Sequence, residues 1–163
     1  WVMPAFREVY RLLKKDSFCV SFYGWNKIDT FLSVWRNCGF RPVGHFVFTK
    51  KYASSTRFSR MCHECAYLLA KGSPGQPAQP PIDVVPWKYT GNKLHPTQKP
   101  VSSLKPLIEA YTEPGDIVLD PFAGSGSTAV AALVSGRRFM AFEKDTAYFA
   151  AAKERLVTCR AHM

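Results

Sequence analysis

Acidic residues are scarce in this chain. Twelve Asp and Glu stand against 22 Lys and Arg, a formal charge of +10 at neutral pH. Long apolar runs are missing as well. No stretch approaches the roughly 20 apolar residues that a membrane helix requires, so a bilayer-spanning segment is not expected. No basic-then-apolar leader with a small-residue cleavage site opens the chain, so no export signal is expected either. The first residue is Trp1 rather than Met, which leads one to expect a start further upstream. Cysteines are few: Cys19, Cys38, Cys62, Cys65 and Cys159. An odd count without an export signal reads as reduced thiols in a cytoplasmic protein. Apolar side chains, by contrast, are plentiful. Of 163 residues, 47% are hydrophobic and 14% aromatic, enough for one globular domain with a sizeable core. That composition excludes a disordered tail, a collagen-like chain and a disulfide-dense miniprotein.

The positive charge is concentrated. Residues 36–105 hold eleven bases and two acids, whereas residues 106–163 hold six bases and seven acids. A basic block beside a near-neutral one suggests a face that binds a polyanion. Along the chain, helical and strand patterns alternate. Pro4 with Phe6, Val9, Tyr10 and Leu13 predicts a helix, closed by Lys14 and Lys15. A strand at 17–23 follows, then a helix capped by Asn26 and stopped by Gly39. Strands are expected at 40–49 and 65–70. The Pro/Gly/Gln tract at 72–81 reads as a mobile loop. The tail reads helix (from Leu104), turn (Pro114-Gly115), strand (117–120), glycine-rich loop, helix (129–135), strand (139–143) and helix (146–157). Such alternation argues for an α/β architecture around a largely parallel sheet, with ligands beyond the carboxyl ends of the strands. Asp120 and Glu143 both fall at such strand ends.

The strongest local signal is Asp120-Pro-Phe-Ala-Gly-Ser-Gly-Ser-Thr128. Gly124 and Gly126 let the backbone turn and approach a ligand, and the following helix offers unpaired N–H groups. Glu143 is placed to accept from ribose hydroxyls. Together they predict a cofactor that contains a nucleoside. Gly124, Gly126 and Ala129 fit the dinucleotide pattern G-x-G-x-x-A. Against it, the loop is long, and Asp120 would set a carboxylate near a pyrophosphate. A cofactor with an amino group and a sulfonium but no phosphate suits that carboxylate, and S-adenosylmethionine is such a molecule. A Walker phosphate loop is excluded, because no Gly-Lys-Ser/Thr follows the glycines.

His95-Pro-Thr-Gln-Lys-Pro100, followed by the Asp120–Thr128 loop, resembles the beta group of amino-methylating DNA methyltransferases, the N6-adenine and N4-cytosine enzymes of permuted motif order. Ser21-Phe-Tyr-Gly-Trp25 and His63-Glu-Cys-Ala-Tyr-Leu-Leu-Ala-Lys-Gly72 resemble later strands of that family, and Phe139-Met-Ala-Phe-Glu143 its ribose-binding strand. The likeness covers nearly the whole chain. It implies a Rossmann-like, S-adenosylmethionine-dependent methyltransferase fold: a mostly parallel sheet with helices on both faces, circularly permuted and missing its amino-terminal strands. Residues 1–163 would form a single methyltransferase domain, with 50–93 a short basic target-recognition insertion. Asp120, Pro121, Phe122, Gly124, Ser125, Gly126 and Thr128 would line the cofactor pocket, together with Glu143 and Lys144. Thr97, Gln98, Lys99 and Pro100 would close over the methionine end. Lys50, Lys51, Arg57, Arg60, Lys88 and Lys93 are candidate phosphate contacts. Trp87 and Tyr89 would either stack on a base or simply pack. The implied partner is double-stranded DNA, the assembly a possible homodimer, and the setting DNA methylation of the kind that accompanies restriction.

One departure stands out. The family's catalytic tetrapeptide, Asp/Asn/Ser-Pro-Pro-aromatic, is absent from the sequence. It belongs on a central strand beside 117–120, so an amino-terminal portion is expected to be missing here, and no catalytic residue is assigned. The alternatives are a DNA-binding remnant without activity and, from G-x-G-x-x-A, a dinucleotide-dependent oxidoreductase. Cys62-His-Glu-Cys65 offers two thiolates where a structural zinc site needs four ligands, so these read as strand cysteines and no metal is expected.

Overall fold

The computed structural model describes residues 1–161, so the last two residues of the expected 1–163 domain lie outside the described residues. By its internal contacts the chain divides into two compact units, 1–86 and 87 onward. The first contains α1 (Val2–Leu12), β1 (Ser17–Phe22), α2 (Ile28–Asn37), β2 (Arg41–Lys50) and β3 (His63–Lys71). β4 (Val84–Trp87) straddles the division. The second contains α3 (Val101–Tyr111), β5 (Ile117–Asp120), α4 (Ser127–Val134), β6 (Arg138–Ala141) and α5 (Thr146–Ala161). Residues 72–81 form no helix or strand. Among the described residues no helix is long and apolar enough to cross a membrane.

The first unit's sheet has the order β1-β3-β2-β4. β1 and β2 both run antiparallel to β3, with Ser17 opposite Lys71 and Thr49 opposite His63. The expectation of a largely parallel sheet is therefore corrected to a mixed arrangement. β2 and β3 are joined by a short irregular segment with no crossover helix, and a parallel pair needs such a crossover. Pro42, which has no N–H to give the ladder, sits where the β2 register slips between Pro42 and Gly44. Phe46 and Phe48 are buried on one side of β2, as their spacing predicts.

Phe6, Val9, Val34, Trp35, Phe40 and Leu69 form the core of this unit. The Phe6 and Trp35 rings meet edge to face at 6.1 Å, and Tyr10 and Phe40 at 4.9 Å. One local expectation changes. Asn26 does not cap α2. It lies inside a 3-10 turn at Trp25–Lys27, where the Lys27 N–H already donates to the Gly24 carbonyl at 2.8 Å. The carboxyl end of α1 is closed from across the sheet, where the Lys71 ammonium donates to the carbonyls of Tyr10 and Leu13, each at 2.6 Å. Gly39 has φ +98°, and a Cβ there would stand 2.9 Å from the Tyr10 ring, so its lack of a side chain is needed twice.

In the second unit β5 and β6 are parallel, with Ile117 opposite Arg138 and Asp120 opposite Ala141, and α4 makes the crossover. Leu104, Leu107 and Ile108 of α3 and Ala129 to Ala132 of α4 are buried. The alanine run lets α4 lie close to its neighbours.

Trp35 is fully buried, and its indole N–H has no hydrogen-bond partner among the described residues. Trp35→Ala is expected to destabilise the first unit by about 3–5 kcal/mol through the cavity it leaves. Trp35→Phe is expected to cost much less, because it removes the unsatisfied donor along with the lost volume. Urea denaturation of the two variants measures the difference.

Candidate functional site

β5 ends at Asp120 and β6 at Ala141, and the parallel ladder continues past both. The Phe142 N–H donates to the Asp120 carbonyl and the Ala123 N–H to the Phe142 carbonyl, each at 2.9 Å. This sets the start of the glycine loop against the exit of β6. Glu143, two residues past the strand, fastens the loop. Its carboxylate accepts from the Gly124 N–H at 2.8 Å and, through the other oxygen, from the Asp145 N–H at 2.9 Å. Asp120 accepts from the Phe122 N–H at 3.0 Å through one oxygen, and its other oxygen has no hydrogen bond among the described residues. Two half-exposed carboxylates thus stand at the carboxyl ends of adjacent parallel strands, where ligands of α/β sheets bind.

Helix α5 supports the loop from behind. Asp145 caps it, accepting from the N–H groups of Ala147 and Tyr148 at 2.9 and 3.0 Å. One helical face then carries Ala152 and Arg155, three residues apart. Gly126 lies against Ala152. Its φ is +75°, and a Cβ there would stand 3.1 Å from the Ala152 Cβ. Arg155 donates to the Ser125 carbonyl at 3.1 Å and to the Ser127 hydroxyl at 2.9 Å. Burial lowers the pKa of this guanidinium. Ser125 and Ser127 are buried, and Thr128 is half-buried in the first turn of α4.

The segment before α3 packs over the loop. A Cβ on Gly124, whose φ is +51°, would stand 3.3 Å from the His95 ring, and His95 meets the Tyr148 ring at 4.3 Å. The Thr97 N–H donates to His95 Nδ1 at 3.1 Å. The Gln98 carbonyl oxygen accepts from the Leu94 N–H at 3.3 Å, and the Lys99 ammonium donates to the Thr97 carbonyl at 3.1 Å. Gln98 and Pro100 are buried and Thr97 is exposed.

The structure therefore brings together the residues expected at the cofactor: Asp120, Pro121, Phe122, Gly124, Ser125, Gly126, Thr128 and Glu143 in one loop system, with Thr97 to Pro100 tied to it through His95. Lys144 follows Glu143 and is exposed. Sequence reasoning missed Tyr148 and Arg155. The signal for Arg155 was its three-residue spacing from Ala152 on a face that must meet the glycines.

The cationic candidates fall in both units. Lys88 and Lys93 are exposed in the second unit, and Lys51, Arg57 and Arg60 are exposed in the first. Lys50 is corrected: its side chain is only 4% exposed, and its ammonium is paired with Glu64 of β3. The Lys50 backbone continues the β2–β3 ladder, which turns the side chain onto that face rather than toward solvent. Trp87 is buried, with the Lys99 ammonium 5.7 Å from its ring centre, so it packs, whereas Tyr89 is exposed. Among the described residues no group of three or more His, Cys, Asp or Glu could hold a metal ion. Burial raises the pKa of the Cys65 thiol.

Residues 1–154 match a family model described as DNA methylase. The Escherichia coli (strain K12) protein YubD, which carries a methylase name, is 56% identical over all 163 residues, a match that covers 72% of that protein. DNA adenine methyltransferase YhdJ of the same strain is 52% identical over 62 residues, which is 38% of this chain and 21% of YhdJ. Among solved structures, the M1.HpyAVI complex with SAM superposes with a TM-score of 0.82 at 24% identity, over 94% of this chain and 81% of that one. The PvuII cytosine-N4-specific DNA methyltransferase superposes with a TM-score of 0.79 at 19% identity, over 95% of this chain and 69% of its own. These likenesses bear out the Rossmann-like α/β reading.

Gly126→Ala is expected to cost more than the 1–2 kcal/mol of a left-handed non-glycine residue, because its Cβ also meets Ala152. Gly115→Ala, at φ +84° with nothing within 4 Å, isolates the backbone cost alone. Denaturant midpoints of the two variants separate the contact from the strain.

Proposed function

The chain belongs to the DNA methylase family, and we propose that its second unit holds S-adenosylmethionine at the carboxyl ends of β5 and β6 for methyl transfer to an exocyclic amine in DNA. The observation that carries this reading is the pair of carboxylates there. Each Glu143 oxygen accepts one backbone N–H and keeps a further lone pair, which suits ribose hydroxyls. The second Asp120 oxygen suits an ammonium group. A dinucleotide would bring its pyrophosphate near the Asp120 carboxylate, a repulsion that S-adenosylmethionine avoids because it carries a sulfonium and an ammonium and no phosphate. Family membership likewise sets the oxidoreductase alternative aside.

When bound, this cofactor supplies a methyl group already activated by the sulfonium. The task left to the chain is positioning. Gly124 and Gly126 give close backbone approach, with Phe122 and Thr128 along the same loop. Thr97 and Lys99 face the methionine end, on a segment that the buried Gln98 and Pro100 hold in place. The sequence contains no Asp-, Asn- or Ser-Pro-Pro-aromatic tetrapeptide, so none of its residues is assigned to orienting the target amine. Residues 50–93 serve target recognition, with Lys51, Arg57, Arg60, Lys88 and Lys93 positioning the phosphates of a duplex. The two units serve one reaction, as a single methyltransferase domain in the cytoplasm. The absent tetrapeptide favours one second reading, a DNA-binding remnant, and methylated duplex produced by this polypeptide alone would exclude it.

Calorimetric titration with S-adenosylmethionine and with its demethylated product is expected to show saturable binding. Asp120→Ala is expected to weaken it at least about tenfold, the loss of one charge-assisted contact, with little change in melting temperature. The absence of binding heat at millimolar cofactor would contradict the proposal.

A further inference from the structure

Between β2 and β3 the chain forms a narrow finger. Its stem is closed by backbone bonds: the Lys50 N–H to the Cys62 carbonyl at 2.8 Å, the Ser54 N–H to Met61 at 2.9 Å and the Met61 N–H to Ser55 at 2.9 Å. The Ser54 hydroxyl also donates to the Met61 carbonyl at 3.1 Å. Thr56 and Arg60 pair across the tip as an isolated antiparallel bridge, and the Arg57 N–H donates to the Ser59 carbonyl at 3.3 Å. The finger is thus a hydrogen-bonded ribbon, and its turn is Arg57-Phe58-Ser59.

Phe58 stands at that turn with 108% relative exposure, the highest among the exposed large apolar side chains. A phenyl ring in this position contributes nothing to a core, and its whole apolar surface faces water. It sits directly beside Arg57 and two residues before Arg60, both exposed. From Thr30 to His63 the sequence contains no acid, so nothing in that stretch neutralises the pair. An exposed ring between two guanidinium groups fits a polyanion with a stack of flat apolar rings inside it. A two-stranded ribbon is also narrow enough to enter a DNA groove.

We infer that Phe58 is a wedge that enters the base stack of duplex DNA while Arg57 and Arg60 hold phosphates beside it. This rests on the reading of the chain as a DNA methylase and assigns a specific contact to its basic segment. Apolar side chains that insert between base steps unstack them and kink the duplex. Opening the stack lowers the cost of extruding a base for chemistry on its exocyclic nitrogen.

The test uses the full chain and a mixed-sequence duplex carrying 2-aminopurine at several positions, followed by anisotropy and by the fluorescence rise that unstacking produces. Phe58→Ala is expected to weaken binding about tenfold and to abolish the rise, with the salt dependence of binding and the melting temperature unchanged. Phe58→Trp is expected to keep both signals. Arg57→Ala and Arg60→Ala are each expected to reduce the slope of log affinity against log salt by about one. Wild-type affinity and wild-type brightening in Phe58→Ala overturn the wedge while leaving the methylase reading standing. So does a Phe58→Ala defect confined to phosphatidylserine vesicles, which would assign the finger to a membrane surface. A wild-type chain that binds no duplex overturns the DNA-binding reading and the wedge with it.

Discussion

The second unit depends on one carboxylate. Glu143 leaves β6 and reaches back to the glycine loop, where it takes the Gly124 N–H at 2.8 Å, and it turns its other oxygen to Asp145. Hydrogen bonds to an ionised acceptor are roughly twice as strong as neutral ones, so this bond can hold a loop whose glycines would otherwise leave it loose. The Asp145 backbone, fixed by the same carboxylate, brings the Asp145 side chain to the start of α5, and α5 then presents Ala152 and Arg155 to the loop from behind. One acid thus orders a strand exit, a loop and a helix start, and each of its oxygens keeps a further lone pair. A loop fastened this way is ordered without a ligand, and a ligand that met it would pay a smaller ordering cost.

The first unit solves a different problem, that of carrying excess positive charge on a stable sheet. Its core is an aromatic cluster of edge-to-face and tilted rings around Trp35, and two of its lysines are used internally. Lys71 closes the carbonyl end of α1, and Lys50 pairs with Glu64. The cations left exposed on the β2–β3 segment are Lys51, Arg57 and Arg60, on a ribbon extended from the sheet. Like charges are cheapest to hold apart on such an extension, where water screens them and no core is disturbed.

Much of the second unit was legible in the sequence, because its signals are local. The short strand before Asp120, the two glycines and the alanine-rich helix each follow from neighbours in sequence, and the parallel pairing of β5 with β6 follows from the helix between them. Less of the first unit was legible. The antiparallel pairing of β2 with β3 depends on the absence of a crossover, which helix and strand periodicity alone does not show. Asn26 has the chemistry of a cap, yet a 3-10 turn uses the position first. Lys71 caps a helix nearly sixty residues away in sequence, and Lys50 counts as a free cation until the ladder sets Glu64 beside it. Trp87, which its chemistry leaves open between stacking on a base and packing, is buried. The correction to Lys50 and the Lys71 cap share one cause: tertiary contacts decide where a long side chain ends.

The central claim is that the loop pinned by Glu143 is the cofactor cradle. Hydrogen–deuterium exchange of the intact chain, with and without S-adenosylmethionine, tests it most directly. The account predicts new protection in three segments, 95–100, 120–128 and 143–148, with the 50–62 finger unchanged. Protection elsewhere, or none at saturating cofactor, would contradict it.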